Sequence, residues 1–166
     1  MIRFTIQDIA MILSSEQVRH EMENGSIKIE PFEETSFKEA SYTFHLGERL
    51  FVFPKDQIID IEQKELIREE VFIGEDGFIL EPNAFVVGQL QETLTMDETV
   101  AAFLSVRGSC AQAGLNALNS DFFAEPAWGG QLALAIKNMN HVPIRLHTGM
   151  KIVKGIFFKI KTVKAE

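Results

Sequence analysis

Cysteine is nearly absent, Cys110 being the only one in 166 residues. That excludes an internal disulfide and any zinc site built on several cysteines, and a reducing, cytoplasmic setting is expected. Long apolar runs are missing too. None approaches the roughly 18 residues of a membrane-crossing helix, and the first residues lack a signal-peptide pattern, so no membrane partner is expected. Positive charge is scarce, with 16 Lys and Arg against 24 Asp and Glu and a net charge of −8. Such a chain lacks the basic face that attracts a phosphate backbone, which argues against nucleic acid as a partner. A small anion held by a local cluster remains open. No internal repeat or low-complexity tract occurs.

What the chain does have is enough apolar content for one core, 46% of its residues being hydrophobic. Its length suits one domain spanning 1–166, with 1–12 left unassigned as an N-terminal extension. A helix is well marked. Ser14 stands three residues before Gln17, a capping-box spacing, Val18 and Met22 share one face, and Asn24-Gly25 supplies a left-handed stop. The acidic stretch 33–39 reads as a solvent-facing loop.

From Ala40 onward, short strands replace the helical period. Segments 42–46, 50–53, 78–80, 84–90, 100–106, 132–136, 143–146 and 152–160 are apolar or alternating. Gly47, Pro54, Pro82-Asn83 and Thr148-Gly149 punctuate them. This spacing, after one early helix, predicts a mainly β barrel or jelly roll. The region 57–70, with Ile58, Ile59, Ile61, Leu66 and Ile67 among charges, fits neither period and reads as an excursion. Lysines 151, 154, 159, 161 and 164 read as the wet face of the last strand and its tail.

One stretch has the make-up of a phosphate-binding turn. A β-branched and aromatic run ends at Val106, and Arg107-Gly108-Ser109-Cys110-Ala111 then combines a cation, a hydroxyl and small residues that leave backbone N–H groups accessible. The same residues also fit a strand, a polar turn and a short helix with no ligand, and the local pattern leaves both readings open.

Longer segments bear on that choice. Leu13-Ser14-Ser15, the run Asn24 to Phe32, Ala40-Ser41-Tyr42 with Leu46-Gly47, and Arg107-Gly108-Ser109 with Ala111 and Gly114-Leu115 occur in order. They are followed by Glu125-Pro126 with Trp128 and Gly130, then by Asn138, Pro143-Ile144, Leu146 and Gly149-Met150. Together these resemble the dCTP deaminase/dUTPase superfamily, and more closely its dCTP deaminase branch, over most of the chain. The resemblance implies a distorted jelly roll assembled as a homotrimer, with active sites between subunits that bind a deoxynucleoside triphosphate and Mg²⁺ on its phosphates. No metal ligated directly by the protein is implied.

The departures from the family pattern concern the chemistry. The family's water-activating glutamate falls at Ala135, whose methyl group moves no proton, so a step worth about 10²–10⁴-fold has no agent there. The aspartate after Ser-Tyr is Thr43, the first of two serines is Gly108, the second arginine of the serine loop is Gln112, and the motif aspartate is Glu125. Gln112 removes a full charge from a triphosphate site. The candidate nucleotide-binding set is therefore Arg107, Gly108, Ser109, Cys110, Gln112, Trp128 and Ala135, with Lys137 or Lys154 as a further cation. Glu125 is the candidate catalytic carboxylate, for orienting water as in dUTP hydrolysis, with Asp121 nearby; turn capping is the competing role for both. His45, His141 and His147 have no ligand spacing and read as surface or turn residues.

Two functions follow. One is an enzyme processing a pyrimidine deoxynucleoside triphosphate, deaminase-like or dUTP diphosphatase-like. The other is a catalytically silent trimer that binds a nucleotide or a protein partner; a purely structural trimer is a third.

Overall fold

The computed structural model describes residues 12–62, 67–118 and 122–160. Helix α1 (Ser15–Glu23) starts at the capping box: Gln17 N–H donates to Ser14 Oγ at 3.3 Å and Ser14 N–H to Gln17 Oε1 at 2.9 Å. Gly25, at φ +82°, ends it, and Val18 faces the core.

Twelve strands follow among the described residues. They are β1 (Ile27–Glu30), β2 (Phe37–Lys38), β3 (Ser41–Val52), β4 (Glu69–Phe72), β5 (Phe78–Leu80) and β6 (Phe85–Met96). After these come β7 (Val100–Val106), a short helix α2 (Gly108–Gln112), β8 (Leu115–Asn116), β9 (Phe123–Ala124), β10 (Gly129–Asn138), β11 (Ile144–Leu146) and β12 (Lys151–Lys159). All pairings are antiparallel. The main sheet runs β8-β10-β6-β3-β12-β7-β9, with β1 added to β6 and both β2 and β4 to β3, while β5 and β11 make a separate ribbon. This is the mainly β, curled-sheet architecture with one short N-terminal helix that the strand spacing predicts.

Strand β6 is the spine. It pairs with β10 along one edge, and with β3 and then β1 along the other. Its alternation turns Val86, Gly88, Leu90, Glu92, Leu94 and Met96 inward. Leu134 and Ile136 from β10, Phe44 and Leu46 from β3, and Phe157 from β12 join them, all with no solvent exposure. Each side chain of this kind contributes about 1.5–3 kcal/mol when fully buried.

Three sequence expectations are corrected. Gly47 does not end a strand: β3 runs through it, and the β6 register slips between Leu46 and Leu50. A Cβ at Gly47 would lie 3.0 Å from Gln89 O, so the glycine permits a bulge and a close backbone approach. Stretch 33–39 is not simply a wet loop, because Ser36, in a 3₁₀ turn (Glu34–Ser36), is 1% exposed. Lys159 is more than a wet-face lysine, since its Nζ donates to Glu21 Oε2 at 2.6 Å and ties β12 to α1. Segment 1–11 and lysines 161 and 164 lie outside the described residues. In the excursion, Ile58, Ile59, Ile61 and Ile67 are exposed and Leu66 is outside the described residues.

At Gly155 the backbone of β12 passes close to a ring: an added Cβ would sit 2.7 Å from Phe44 Cε2. Phe44 is fully buried and has no room to retreat. Gly155→Ala is therefore expected to destabilise the fold by about 1–3 kcal/mol, read from the midpoint of urea unfolding.

Candidate functional site

Strand β7 delivers Arg107 to the edge of the sheet, where its N–H donates to Ile152 O at 2.8 Å. The chain then enters α2. Cys110 and Ala111 N–H both donate to Arg107 O, at 2.9 and 3.0 Å. Those two amides are thus spent inside the turn, which leaves the N–H groups of Gly108 and Ser109 as its backbone donors, fewer than the accessible run from Gly108 to Ala111 anticipated from sequence. A Cβ at Gly108 would meet nothing within 4 Å, so the approach to this backbone is open.

Beside the turn lies a pocket of about 280 Å³ lined by Arg107, Ser109, Cys110, Arg145, Met150 and Lys151 among others. Three cations converge there and no carboxylate lines the walls. Arg107 and Arg145 form no ion pair with a carboxylate of the described residues, whereas Lys151 Nζ turns to Thr35 O at 3.5 Å and acts on the nearby Glu33 carboxylate. The Arg145 guanidinium is steadied by the carbonyl of Asp76, a neutral acceptor that leaves its charge uncompensated. Cys110 forms the pocket floor. It is 6% exposed, its Sγ donates to Lys151 O at 3.5 Å, and burial pushes the thiol up from its usual range, so it stays protonated.

The other sequence candidates do not line this pocket. Gln112 is exposed at the end of α2. Lys137 on β10 pairs in register with Phe85 and Asn116, and Lys154 on β12 with Thr43 and Ser105. Ala135 is half-buried in mid-β10, opposite Val87. Glu125 is exposed, and its carbonyl accepts from Trp128 N–H at 3.3 Å, closing a turn through Pro126 and Ala127. Trp128 packs its ring against the core, with Nε1 donating to Gly130 O at 3.3 Å. Asp121 lies outside the described residues. The chain thus holds two groups, the Arg107 pocket and the segment 125–135, which does not line it.

In the sequence Lys151 reads only as a wet-face lysine and Arg145 only as part of a strand, because β11 and β12 lie far along the chain from Arg107. No local pattern marks them.

The larger surprise is His45. It is 8% exposed, not a surface residue. Its Nδ1 faces Glu92 Oε1 at 2.5 Å and its backbone N–H donates to Glu92 Oε2 at 3.0 Å. Glu92 itself is 2% exposed, so both of its oxygens are satisfied by one residue. His45 Nε2 points the other way, to Glu33 Oε2 at 3.2 Å, at the edge of a cavity of about 460 Å³ that also includes Gln91 and Lys151. Among the described residues, no cluster of His, Cys, Asp or Glu suits a directly bound metal ion.

A protein-family model described as dCTP deaminase-like matches residues 12–160. The dUMP-forming dCTP deaminase of Pseudarthrobacter chlorophenolicus is 33% identical over 156 residues, covering 92% of this chain and 82% of its own length. The enzyme of the same name from Nanoarchaeum equitans is 32% identical, covering 94% of this chain and 88% of its own. Among solved structures, the 2'-deoxycytidine 5'-triphosphate deaminase of Agrobacterium tumefaciens superposes with a TM-score of 0.70 at 20% identity, over 90% of this chain and 48% of that one. A Staphylococcus bacteriophage 80alpha dUTPase with dUPNHPP gives 0.53 at 12% identity, over 84% of this chain and 86% of that one. The chain belongs to the dCTP deaminase-like family, within the wider dCTP deaminase/dUTPase fold.

The Glu125–Trp128 turn carries one departure with a measurable consequence. Ala127 has φ +60°, a left-handed conformation that costs a residue with a Cβ about 1–2 kcal/mol. Ala127→Gly relieves it at the cost of some unfolded-chain entropy, and a net gain of roughly 0.5–1 kcal/mol is expected in thermal or denaturant unfolding.

Proposed function

We propose that this protein binds a pyrimidine deoxynucleoside triphosphate through its phosphates, as a homotrimer, and that it does not deaminate by the glutamate route of its family. The observation that carries the reading is the pocket of Arg107, Ser109, Arg145 and Lys151, walled by cations in a chain of net charge −8. A pocket lined by cations and by no carboxylate is a favourable place for a polyanion. The curated relatives are named for an enzyme that consumes such a nucleotide, which fits.

Mg²⁺ belongs to this reading only as a counter-ion carried on the phosphates. The pocket lining holds no carboxylate to ligate it, so no step is assigned to the ion.

Trimer formation rests on two observations. The Arg107 pocket and the segment 125–135 belong to one site in the family pattern, but the segment does not line the pocket on a single chain, so a neighbouring copy would bring them together. Phe103, 44% exposed, and Phe122, 54% exposed, also form an aromatic surface with Phe123 and Phe158 that a second copy would cover. Light scattering at micromolar concentration is expected to return three times the 18.7 kDa chain mass. A stable monomer would remove the shared site from the proposal.

With Ala135 at the acid/base position, proton transfer to and from the pyrimidine ring lacks an agent. Glu125 remains as an exposed carboxylate able to orient water toward a phosphate. A silent nucleotide-binding trimer is the second reading, and Ala135 together with the exposed Gln112 favours it. Incubation with dCTP or dUTP and Mg²⁺ separates the two: uracil nucleotide from dCTP would overturn the reading, and dUMP from dUTP that disappears in Glu125→Gln would assign the hydrolase role. In calorimetry, Arg107→Ala is expected to weaken binding of a non-hydrolysable dUTP or dCTP analogue by about 1.5–3 kcal/mol, the worth of one charge-assisted contact. Unchanged affinity would place the phosphates elsewhere.

A further inference from the structure

The cavity around His45 is built like an oxyanion site that is already filled. His45 Nδ1 and Nε2 both face carboxylate oxygens, at 2.5 Å from Glu92 and 3.2 Å from Glu33. A neutral imidazole carries one N–H, so only the imidazolium donates to both. Glu92 is buried, accepts both of its bonds from His45 and lies on the spine strand β6, so it holds the ring in place. Glu33 is different. Its side chain is 54% exposed and sits on the segment between β1 and the 3₁₀ turn.

The Glu33 carboxylate gathers donors as a bound anion would. Ser36 Oγ, from a residue 1% exposed, donates to Glu33 Oε2 at 2.8 Å, and His45 Nε2 reaches the same oxygen. The Ser36 hydroxyl, with His45 and Lys151, holds the Glu33 carboxyl below the usual carboxylate range. Tyr42 Oη accepts from the Glu33 backbone N–H at 2.9 Å, which positions the residue independently of its side chain. The charged groups facing His45 are thus Glu92 from β6, Glu33 from its own loop and Lys151 from β12. With Glu33 turned away, His45 Nε2, the Ser36 hydroxyl and the Lys151 ammonium lose the carboxylate they share.

We propose that this cavity is an oxyanion site that the chain fills in cis with Glu33, and that a phosphate-class anion binds there by displacing that carboxylate. Its donors would be His45 Nε2–H, the Ser36 hydroxyl and the Lys151 ammonium. The cavity's volume of about 460 Å³ exceeds what one carboxylate occupies and accommodates a diphosphate. Lys151 lines both this cavity and the Arg107 pocket, so the two are neighbours while Glu33 gates only one of them.

The test uses the full chain with Arg107→Ala and Arg145→Ala in place, to silence the neighbouring pocket, and inorganic diphosphate as the probe. Adding Glu33→Ala is expected to tighten diphosphate binding in calorimetry by roughly 10- to 100-fold, the range spanned by one charge-assisted hydrogen bond. The His45 ring nitrogen resonances should shift on titration, and Lys151→Met should reverse the gain. Glu33→Gln, which keeps the shape and removes the charge, provides the same comparison should the alanine variant fold poorly. Equal affinity with and without the Glu33 carboxylate would overturn the proposal. A gain that leaves the His45 resonances unmoved would overturn it as well, because the anion would then be bound elsewhere.

Discussion

A carboxylate with almost no solvent around it constrains this structure more than any other single group. Glu92 occupies one of six inward positions of β6, in a row otherwise made of Val86, Gly88, Leu90, Leu94 and Met96. Leaving such a charge without donors would cost several kcal/mol. His45 meets both oxygens, one with its backbone N–H and one with its ring, and so docks β3 on β6 just before the bulge at Leu46 to Leu50. The ring's second nitrogen then has only one direction in which to point. Loop residue Glu33, the buried Ser36 hydroxyl and the His45 cavity are all arranged around it.

The charge distribution follows a similar logic on a larger scale. An excess of eight negative charges is spread over the chain, yet Arg107, Arg145 and Lys151 line one pocket that no carboxylate lines, only Lys151 having a carboxylate, Glu33, on its other side. Such an arrangement costs self-repulsion in the free protein, and a polyanion relieves it. Cys110 beneath them is buried and protonated, which gives the pocket an inert floor. Opposite in character is the Phe103, Phe122, Phe123 and Phe158 surface, where rings stack with centroids 5.0 to 6.1 Å apart and two of them remain exposed.

Membership of the dCTP deaminase-like family and the proposed loss of that family's acid/base residue meet on one strand. Ala135 stands mid-β10 in an unbroken register opposite Val87, so its position is secured by the same ladder that buries Leu134 and Ile136. On the proposed register a methyl group stands there in place of the family's carboxylate, and a methyl group transfers no proton. The fold can therefore be kept while the chemistry changes.

How much was legible in the chain follows from the range of the interactions involved. Helix α1 was readable because Ser14, Gln17 and Gly25 act over three or four residues, β10 because alternation is a local signature of a half-buried strand, and β7 because a short apolar run is one of a buried strand. Arg107 and Ser109 were readable for the same reason, as neighbours in one turn. Gly47 was misread because a glycine that ends a strand and one that permits a bulge look identical until the partner strand is in place. His45 and Glu92 are 47 residues apart, and Arg145 and Lys151 reach Arg107 only through the curl of the sheet. A lone histidine among strand residues carries no mark of its partner. Its burial, its two carboxylates and the pocket of cations depend on which strands become neighbours, and that is settled by tertiary packing rather than by any periodicity in the chain.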